Sequence, residues 1–200
     1  MSLSVVLTCY NEVPLIFDSY RKLSAHIEVS TTDHEFIIVD DGSTANVQRA
    51  LKEYFCERNV KLILSELNEG RGAAVTKGIR AASKDYVGFI DTDLEIPPYS
   101  LLVLHHTAVA LDADIVIAER VYKWDRHPRH LIRTAGSILL RFTASKMLDL
   151  ENLDTETGAK VFRRRSITEV LDTVLSKRWF WDTEIIVEAR KRSQRIVEVP

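Results

Sequence analysis

The sequence has little of several things, and each shortage removes a class of function. It holds two cysteines, Cys9 and Cys56, too few for the disulfide framework of a small secreted domain. Cys9 lies in an apolar run and reads as a small core residue, so a reducing, cytoplasmic compartment is expected. It has no excess of positive charge: 27 Lys and Arg face 29 Asp and Glu, a formal net charge of -2. No global field therefore draws nucleic acid. It also lacks an apolar stretch of membrane-spanning length, because residues 99–118, the longest candidate, are interrupted by His105, His106, Asp112 and Asp114. The N-terminus shows no basic region followed by a long apolar one, so no signal peptide is expected. Any encounter with a membrane is expected at its surface, on the cytoplasmic side. There is no internal repeat, low-complexity tract or linker, and residues 1–200 are expected to form one domain with a sizeable core.

What is present is an alternation. Residues 4–9 (SVVLTC) form a continuous β-rich apolar run, as in a strand buried on both faces. Ile16, Tyr20, Leu23 and Ile27 then recur at helical spacing. Further strands are expected at 35–39, 60–64, 86–90 and 114–118, with helical patterns over 47–55, 72–82 and 101–111 between them. The rhythm predicts an α/β fold: a mostly parallel, Rossmann-like central sheet with helices on both faces. After residue 118 the pattern changes. Residues 119–130 read as a loop, 131–148 as a helix, 166–175 and 183–192 as two more helices, and 196–199 as a final strand.

Polar clusters stand where strands end. In open α/β sheets that is where ligands bind. The first strand runs into Tyr10-Asn11-Glu12, the second into Asp40-Asp41-Gly42-Ser43, the fourth into Asp91-Thr92-Asp93-Leu94-Glu95. Repeated acids at strand exits are costly if buried without cations. One reading covers all three: they surround a nucleotide and a divalent metal. Asp91 and Asp93, two apart in a segment expected to be extended, point the same way. Both can address Mg²⁺ or Mn²⁺, with Glu95 continuing the row. Asp40 and Asp41 can accept hydrogen bonds from a nucleobase. They also fit an ordinary strand-to-helix turn with Ser43 or Thr44 as N-cap. The small residues around Gly70 and Gly72 lie after the third strand, not the first, and so are not a dinucleotide fingerprint. They suit a tight helix entry, and Arg71 is placed to approach base or phosphate. His127 and His130 on a proline-containing loop are a weak zinc signal.

These pieces, in this order, resemble the family-2 inverting glycosyltransferases with the GT-A fold. Residues 4–12 (SVVLTCYNE), 39–44 (VDDGST), 68–74 (NEGRGAA) and 89–98 (FIDTDLEIPP) carry the resemblance, which spans nearly the whole chain. Three later segments are similar to the polyprenyl-phosphate sugar transferases, such as dolichyl-phosphate glucose and mannose synthases and bacterial undecaprenyl-phosphate glucosyltransferases. They are residues 154–163 (DTETGAKVFR), 179–184 (WFWDTE) and the closing Glu198-Val199-Pro200. Of these, residues 179–184 are closer to the glucosyl type than to the mannosyl type. The chain departs from the pattern at Glu119-Arg120, where Ser-Arg is usual, and at Ala159, where an aromatic is common. Family members continue past the position of Pro200 and commonly carry transmembrane helices. The resemblance therefore implies a piece of a longer protein, with any anchor outside it.

The resemblance implies a hexosyltransferase that uses a UDP-hexose, with a divalent metal, and a polyprenyl phosphate as acceptor. Residues 1–118 would form the nucleotide-sugar half and 119–200 the acceptor half. Tyr10, Glu12, Asp40, Asp41, Gly70 and Arg71 would hold the nucleoside; Asp91, Asp93 and Glu95 would hold the metal. Asp154 would join Asp91 and Asp93 in catalysis, while Lys160, Asp182 and Glu184 would position sugar or acceptor. Asp154 as a turn residue, Asp182 as an N-cap and Glu184 as a first-turn helix-dipole partner are equally open. Between residues 120 and 146, seven Arg and Lys stand against Asp125 alone. This is either a solvated basic helix surface or an acceptor-phosphate site, in which Arg133 and Ser137 share a helix face and the resemblance adds Arg120. The alternatives are a family-2 transferase with a soluble or polysaccharide acceptor, and a non-catalytic nucleotide-sugar-binding domain.

Overall fold

The computed structural model describes residues 2–30, 33–119 and 153–200. The elements follow in the order β1 (Leu3–Cys9), α1 (Val13–Ser30), β2 (His34–Asp40), α2 (Ala45–Phe55), β3 (Val60–Leu64), α3 (Arg71–Ala81), β4 (Tyr86–Ile90), α4 (Ser100–Ala110) and β5 (Ile115–Ala118). After the gap come β6 (Ala159–Arg163), α5 (Arg164–Leu171), α6 (Trp181–Lys191) and β7 (Ile196–Val199). The helix expected over 131–148 and most of the preceding loop lie outside the described residues.

One sheet takes strands from both parts of the chain, in the order β3-β2-β1-β4-β6-β5-β7. β1 pairs in parallel with β2 and β4, β2 with β3, and β5 with β7. β1 is mostly apolar, with Ser4 and Thr8 the exceptions, because it has a strand on each side and helices on each face. Its Val5 and Leu7 pack with α1, α2 and α4, and its Val6 packs with α3, α5 and α6. The side-chain period of two in a strand divides one run between two cores.

β6 escapes the sequence pattern. Its five residues include Lys160 and Arg163, so no apolar run marks them, yet the strand is buried along its length. It lies antiparallel to both β4 and β5. Alternation places Phe162 in the core under α3, α5 and α6, and Ala159 and Val161 in the other. The helix expected over 166–175 stops at Leu171, and Leu175 is 84% exposed. The apolar residues there imitate helical spacing in a segment that instead crosses to α3.

α4 presents His105 to the core. The residue is 3% exposed, its ring lies edge-on to Tyr86, and among the described residues neither nitrogen has a hydrogen-bond partner. Burial, then the neighbouring His106, lowers its pKa from 6.5 to about 4. An unfolded chain takes up this proton near pH 6.5, while the folded chain resists until about pH 4. The stabilisation is therefore complete above the unfolded value and lost as pH falls through that window. The loss amounts to about 3 kcal/mol at 1.36 kcal/mol per pKa unit. Denaturant unfolding of His105→Leu at several pH values should show a flatter acid limb than the parent. Identical slopes in both proteins would refute the assignment.

Candidate active site

The carboxyl ends of β1, β2 and β4 open into a cleft of about 400 Å³. Parallel pairing puts those three ends on one side of the sheet. Tyr10, Glu12, Asp41, Gly70, Arg71, Asp91 and Asp93 all line it. The first two loops are stitched together by Asn11, whose φ is 56°. Its N–H donates to Ser43 Oγ at 2.8 Å and its Oδ1 accepts the Thr44 N–H at 3.0 Å. Asparagine adopts this left-handed conformation more readily than most residues. Cys9 also lines the cleft. Burial, followed by the charge of Asp40, pushes its thiol up to about 12, which keeps it protonated.

The two adjacent acids after β2 do different work. Asp40 is fully buried, and its Oδ2 accepts the Ser43 N–H at 3.0 Å and Gln48 Nε2 at 2.8 Å. It is not among the residues that line the cleft, and these bonds fit the turn reading. Thr44 occupies the N-cap position of α2, without a side-chain cap bond. Asp41 accepts the backbone N–H groups of Glu69 at 3.1 Å and Gly70 at 2.8 Å. It thus fixes the loop before α3 while facing the cleft. Glu69 itself is held between Lys77 and Lys177, which lower its pKa to about 2.

After β4 the chain turns at once, and 91–93 is not extended. The premise that set Asp91 and Asp93 side by side is therefore not met. Asp91 Oδ1 accepts Arg71 Nε at 2.8 Å and Nη2 at 2.6 Å. Arg71 also pairs through Nη1 with Asp182. Burial works against the Arg71 charge, but Asp182 and Asp91 outweigh it and hold its pKa above the ordinary value. Arg71 is a bridge between two carboxylates as well as a wall of the cleft. Thr92 is buried, donating to the Thr8 carbonyl, while its own carbonyl accepts from Ser19 Oγ. Leu94 takes a φ of 52° while its side chain packs into the core. These anchors leave the Asp93 carboxylate exposed at the cleft, with Oδ1 accepting the Glu95 N–H at 3.2 Å.

Glu95 does not line the cleft, and among the described residues no three His, Cys, Asp or Glu gather as a metal cage. The donor set still suits a hard cation shared with a diphosphate. Mg²⁺ is commonly held by one or two carboxylates, with substrate phosphates and water completing the shell. Asp93 offers one such carboxylate, with Asp91 beside it in the cleft wall.

The glycines of residues 68–74 answer to packing. A Cβ at Gly72 would lie 2.4 Å from Trp181 Cβ, and one at Gly70 would lie 2.6 Å from the Lys177 carbonyl oxygen. The Ala73 N–H donates to that same carbonyl at 3.0 Å. The later half of the chain sits directly on the start of α3. Among its expected site residues, none that the structure describes reaches the cleft lining. Lys160 is fully buried, donating to Asp182 Oδ1 at 2.7 Å and to the Thr157 carbonyl at 2.6 Å. Asp182 is engaged at both oxygens and lies inside the first turn of α6, with Phe180 at the N-cap position. Glu184 accepts the N–H groups of Leu175 and Ser176 and so shapes the 172–180 segment. Asp154 is buried in a turn, its N–H bound to Glu198 Oε1 at 2.7 Å. Arg120, Arg133 and Ser137 lie outside the described residues.

The family model for glycosyl transferase family 2 matches residues 4–171. The chain belongs to this family. It is 27% identical, over 98% of its length, to a dolichyl-phosphate beta-glucosyltransferase of Dictyostelium discoideum. It is 26% identical, over its full length, to a glycosyltransferase of Haloferax volcanii. It spans 64% and 32% of those two proteins. Among solved structures it is similar to glucosyl-3-phosphoglycerate synthase of Mycobacterium tuberculosis, crystallised with Mn²⁺, uridine diphosphate and glucosyl-3-phosphoglycerate. The TM-score is 0.72 at 20% identity, covering 99% of this chain and 69% of that one. The GT-A fold expected from the sequence is the fold of this family-2 chain.

Several cleft residues were not singled out from sequence. Asn68 lies inside a recognised motif, but nothing local separates it from its neighbours. Arg178 and Trp179 line the cleft from the 172–180 segment. Trp179 lies 5.6 Å from the Arg71 guanidinium carbon, a cation–π distance that only the tertiary fold creates. Among the described helices none is long and apolar enough to cross a membrane.

The close approach at Gly72 gives a prediction of sign. Glycine to alanine near a helix start ordinarily helps, by about 0.5–1 kcal/mol. Here Gly72→Ala should destabilise by about 1–3 kcal/mol through overpacking against Trp181. Urea denaturation decides it, and a stabilised variant would show that α6 is not seated on α3.

Proposed function

We propose that this family-2 chain carries out metal-dependent transfer of a hexose from a UDP-sugar to a polyprenyl phosphate, with inversion at the anomeric carbon. The observation that supports it best is the meeting of Tyr10, Asp41 and Asp93 in one cleft at the strand ends. The dolichyl-phosphate relative and the UDP-bound structural neighbour point the same way. In this reading Tyr10 and Asp41, with Glu12 and the Gly70 backbone, hold the nucleoside. Asp93 faces the diphosphate. A divalent cation at Asp93, with Asp91 beside it, would neutralise charge on the departing diphosphate.

The acceptor supplies its own nucleophile. A phosphate monoester has its second pKa near 6 and is largely ionised at neutral pH, so no strong general base is required. That agrees with the buried, paired state of Asp182 and the burial of Asp154. Arg133 and Ser137, four apart on the expected helix, would grip the acceptor phosphate with Arg120 nearby. The membrane surface would present the lipid there, from the cytoplasmic side.

Two measurements test the reading. Asp93→Asn should lower metal-dependent UDP release from UDP-glucose and a short polyprenyl phosphate by roughly a hundredfold or more, with thermal unfolding near the parent's. Full activity of the variant, or of the parent in excess chelator, would reject the cation's role. Arg133→Ala should weaken use of the lipid phosphate while calorimetric UDP-glucose affinity stays within about twofold of the parent. Equal loss of donor affinity would place the acceptor elsewhere. Transfer to 3-phosphoglycerate but not to polyprenyl phosphate would replace the proposed acceptor class.

A further inference from the structure

Four charged side chains run from the middle of the sheet to the wall of the cleft. Lys160, on β6, is fully buried and gives its ammonium to Asp182 and the Thr157 carbonyl. Asp182, on α6, gives its second oxygen to Arg71. Arg71, at the start of α3, gives two N–H groups to Asp91 Oδ1. Of the two carboxylates only Asp91 lines the cleft. The Phe89 ring lies against both cations, 5.2 Å from the Arg71 guanidinium carbon and 5.2 Å from Lys160 Nζ. The set holds two positive and two negative charges.

Arg71 is shared, and the sharing is what matters for the cleft. A guanidinium drawn toward Asp182 loosens from Asp91, and one released by Asp182 settles on Asp91. Asp182 needs less of Arg71 because Lys160 already neutralises it. Lys160 lies away from the cleft lining, so it acts on bound ligands through these partners and the field of its charge, not by contact.

We infer that Lys160 is a positioning residue: by satisfying Asp182 it leaves Arg71 on Asp91, and so sets the charge that the cleft wall presents beside Asp93 to a divalent cation. The inference rests on the donor-and-cation reading of the cleft. The competing explanation is that Lys160 only fastens α6 to β6. Both explanations lower stability when Lys160 is replaced, because each leaves a buried carboxylate short of a partner. They differ in what happens to cation affinity.

The test is calorimetric titration of the 200-residue chain with Mn²⁺, alone and with saturating UDP. The proteins compared are the parent, Lys160→Met, Asp182→Asn and the double variant, each also followed by thermal unfolding. Lys160→Met should draw Arg71 to Asp182, leave Asp91 uncompensated, and tighten Mn²⁺ binding by roughly three- to tenfold. Asp182→Asn should settle Arg71 on Asp91 and weaken Mn²⁺ by a similar factor. The double variant restores charge balance and should return to within about twofold of the parent, in both affinity and melting temperature. Singles that both weaken Mn²⁺, singles that leave it unchanged, or a double that stays displaced would overturn the proposal. If Lys160→Met does not fold, the opposed behaviour of Asp182→Asn and the double variant decides. Absence of Mn²⁺ binding to the parent, with and without UDP, would remove the cation reading and this inference with it. Parent binding without the opposed shifts removes the inference alone.

Discussion

Arg71 holds two carboxylates that lie 20 and 111 residues from it in the sequence, and much of the cleft follows from that pairing. A buried charge is tolerated only when it is paired and hydrogen-bonded. Asp91 is drawn to its place by the guanidinium, while burial pushes its carboxyl above the ordinary range. Asp182 brings the first turn of α6 to the same cation. Thr92, pinned to β1 and α1, then turns the chain, so that Asp93 is the acid that emerges. The geometry of the exposed carboxylate is thus set by its buried neighbours.

Close backbone approach is the companion of that ion network. Gly70 has a φ of 110°, and both it and Gly72 admit the 177–181 segment at distances that leave no room for a Cβ. Gly158 does the same beside Asp91, where a Cβ would lie 2.4 Å from Oδ2. Through these contacts Arg178 and Trp179 become part of a cleft that, among the described residues, is otherwise built from the first half of the chain. Its acids divide into two kinds. Asp40 and Asp182 stabilise turns and cations inside the protein, Glu184 shapes the 172–180 segment, and Glu12, Asp41, Asp91 and Asp93 reach the cavity. Only the last group is exposed to whatever the cleft holds.

The strand order shows how far the sequence could be read. β1 to β4 announce themselves, because the central strands β1 and β4 are buried and the outer β2 and β3 still keep runs of apolar residues. β5 and β7 are short but still mostly apolar. β6 does not announce itself, because Lys160 and Arg163 occupy buried positions whose partners, Asp182 and Asp112, lie elsewhere in the chain. The same holds for the candidate site. Tyr10, Glu12, Asp41, Asp91 and Asp93 were legible, since they directly follow strands whose parallel pairing fixes where their ends lie. Asp40 and Asp41 look alike in sequence, and only the fold shows that Asp41 lines the cleft while Asp40 bonds within the turn.

The sequence alone determined the mostly parallel α/β core, the side of the sheet on which the cleft opens, and the glycosyl transferase family. Those features depend on local periodicity and on motifs of a few consecutive residues. Only the tertiary structure decided which acids face the cleft, why the glycines before and within α3 are small, and that Arg71 is shared between Asp91 and Asp182. Each of these is a contact between distant segments. Whether a buried charge or a missing side chain is acceptable depends on what the fold brings against it, and no local pattern records that.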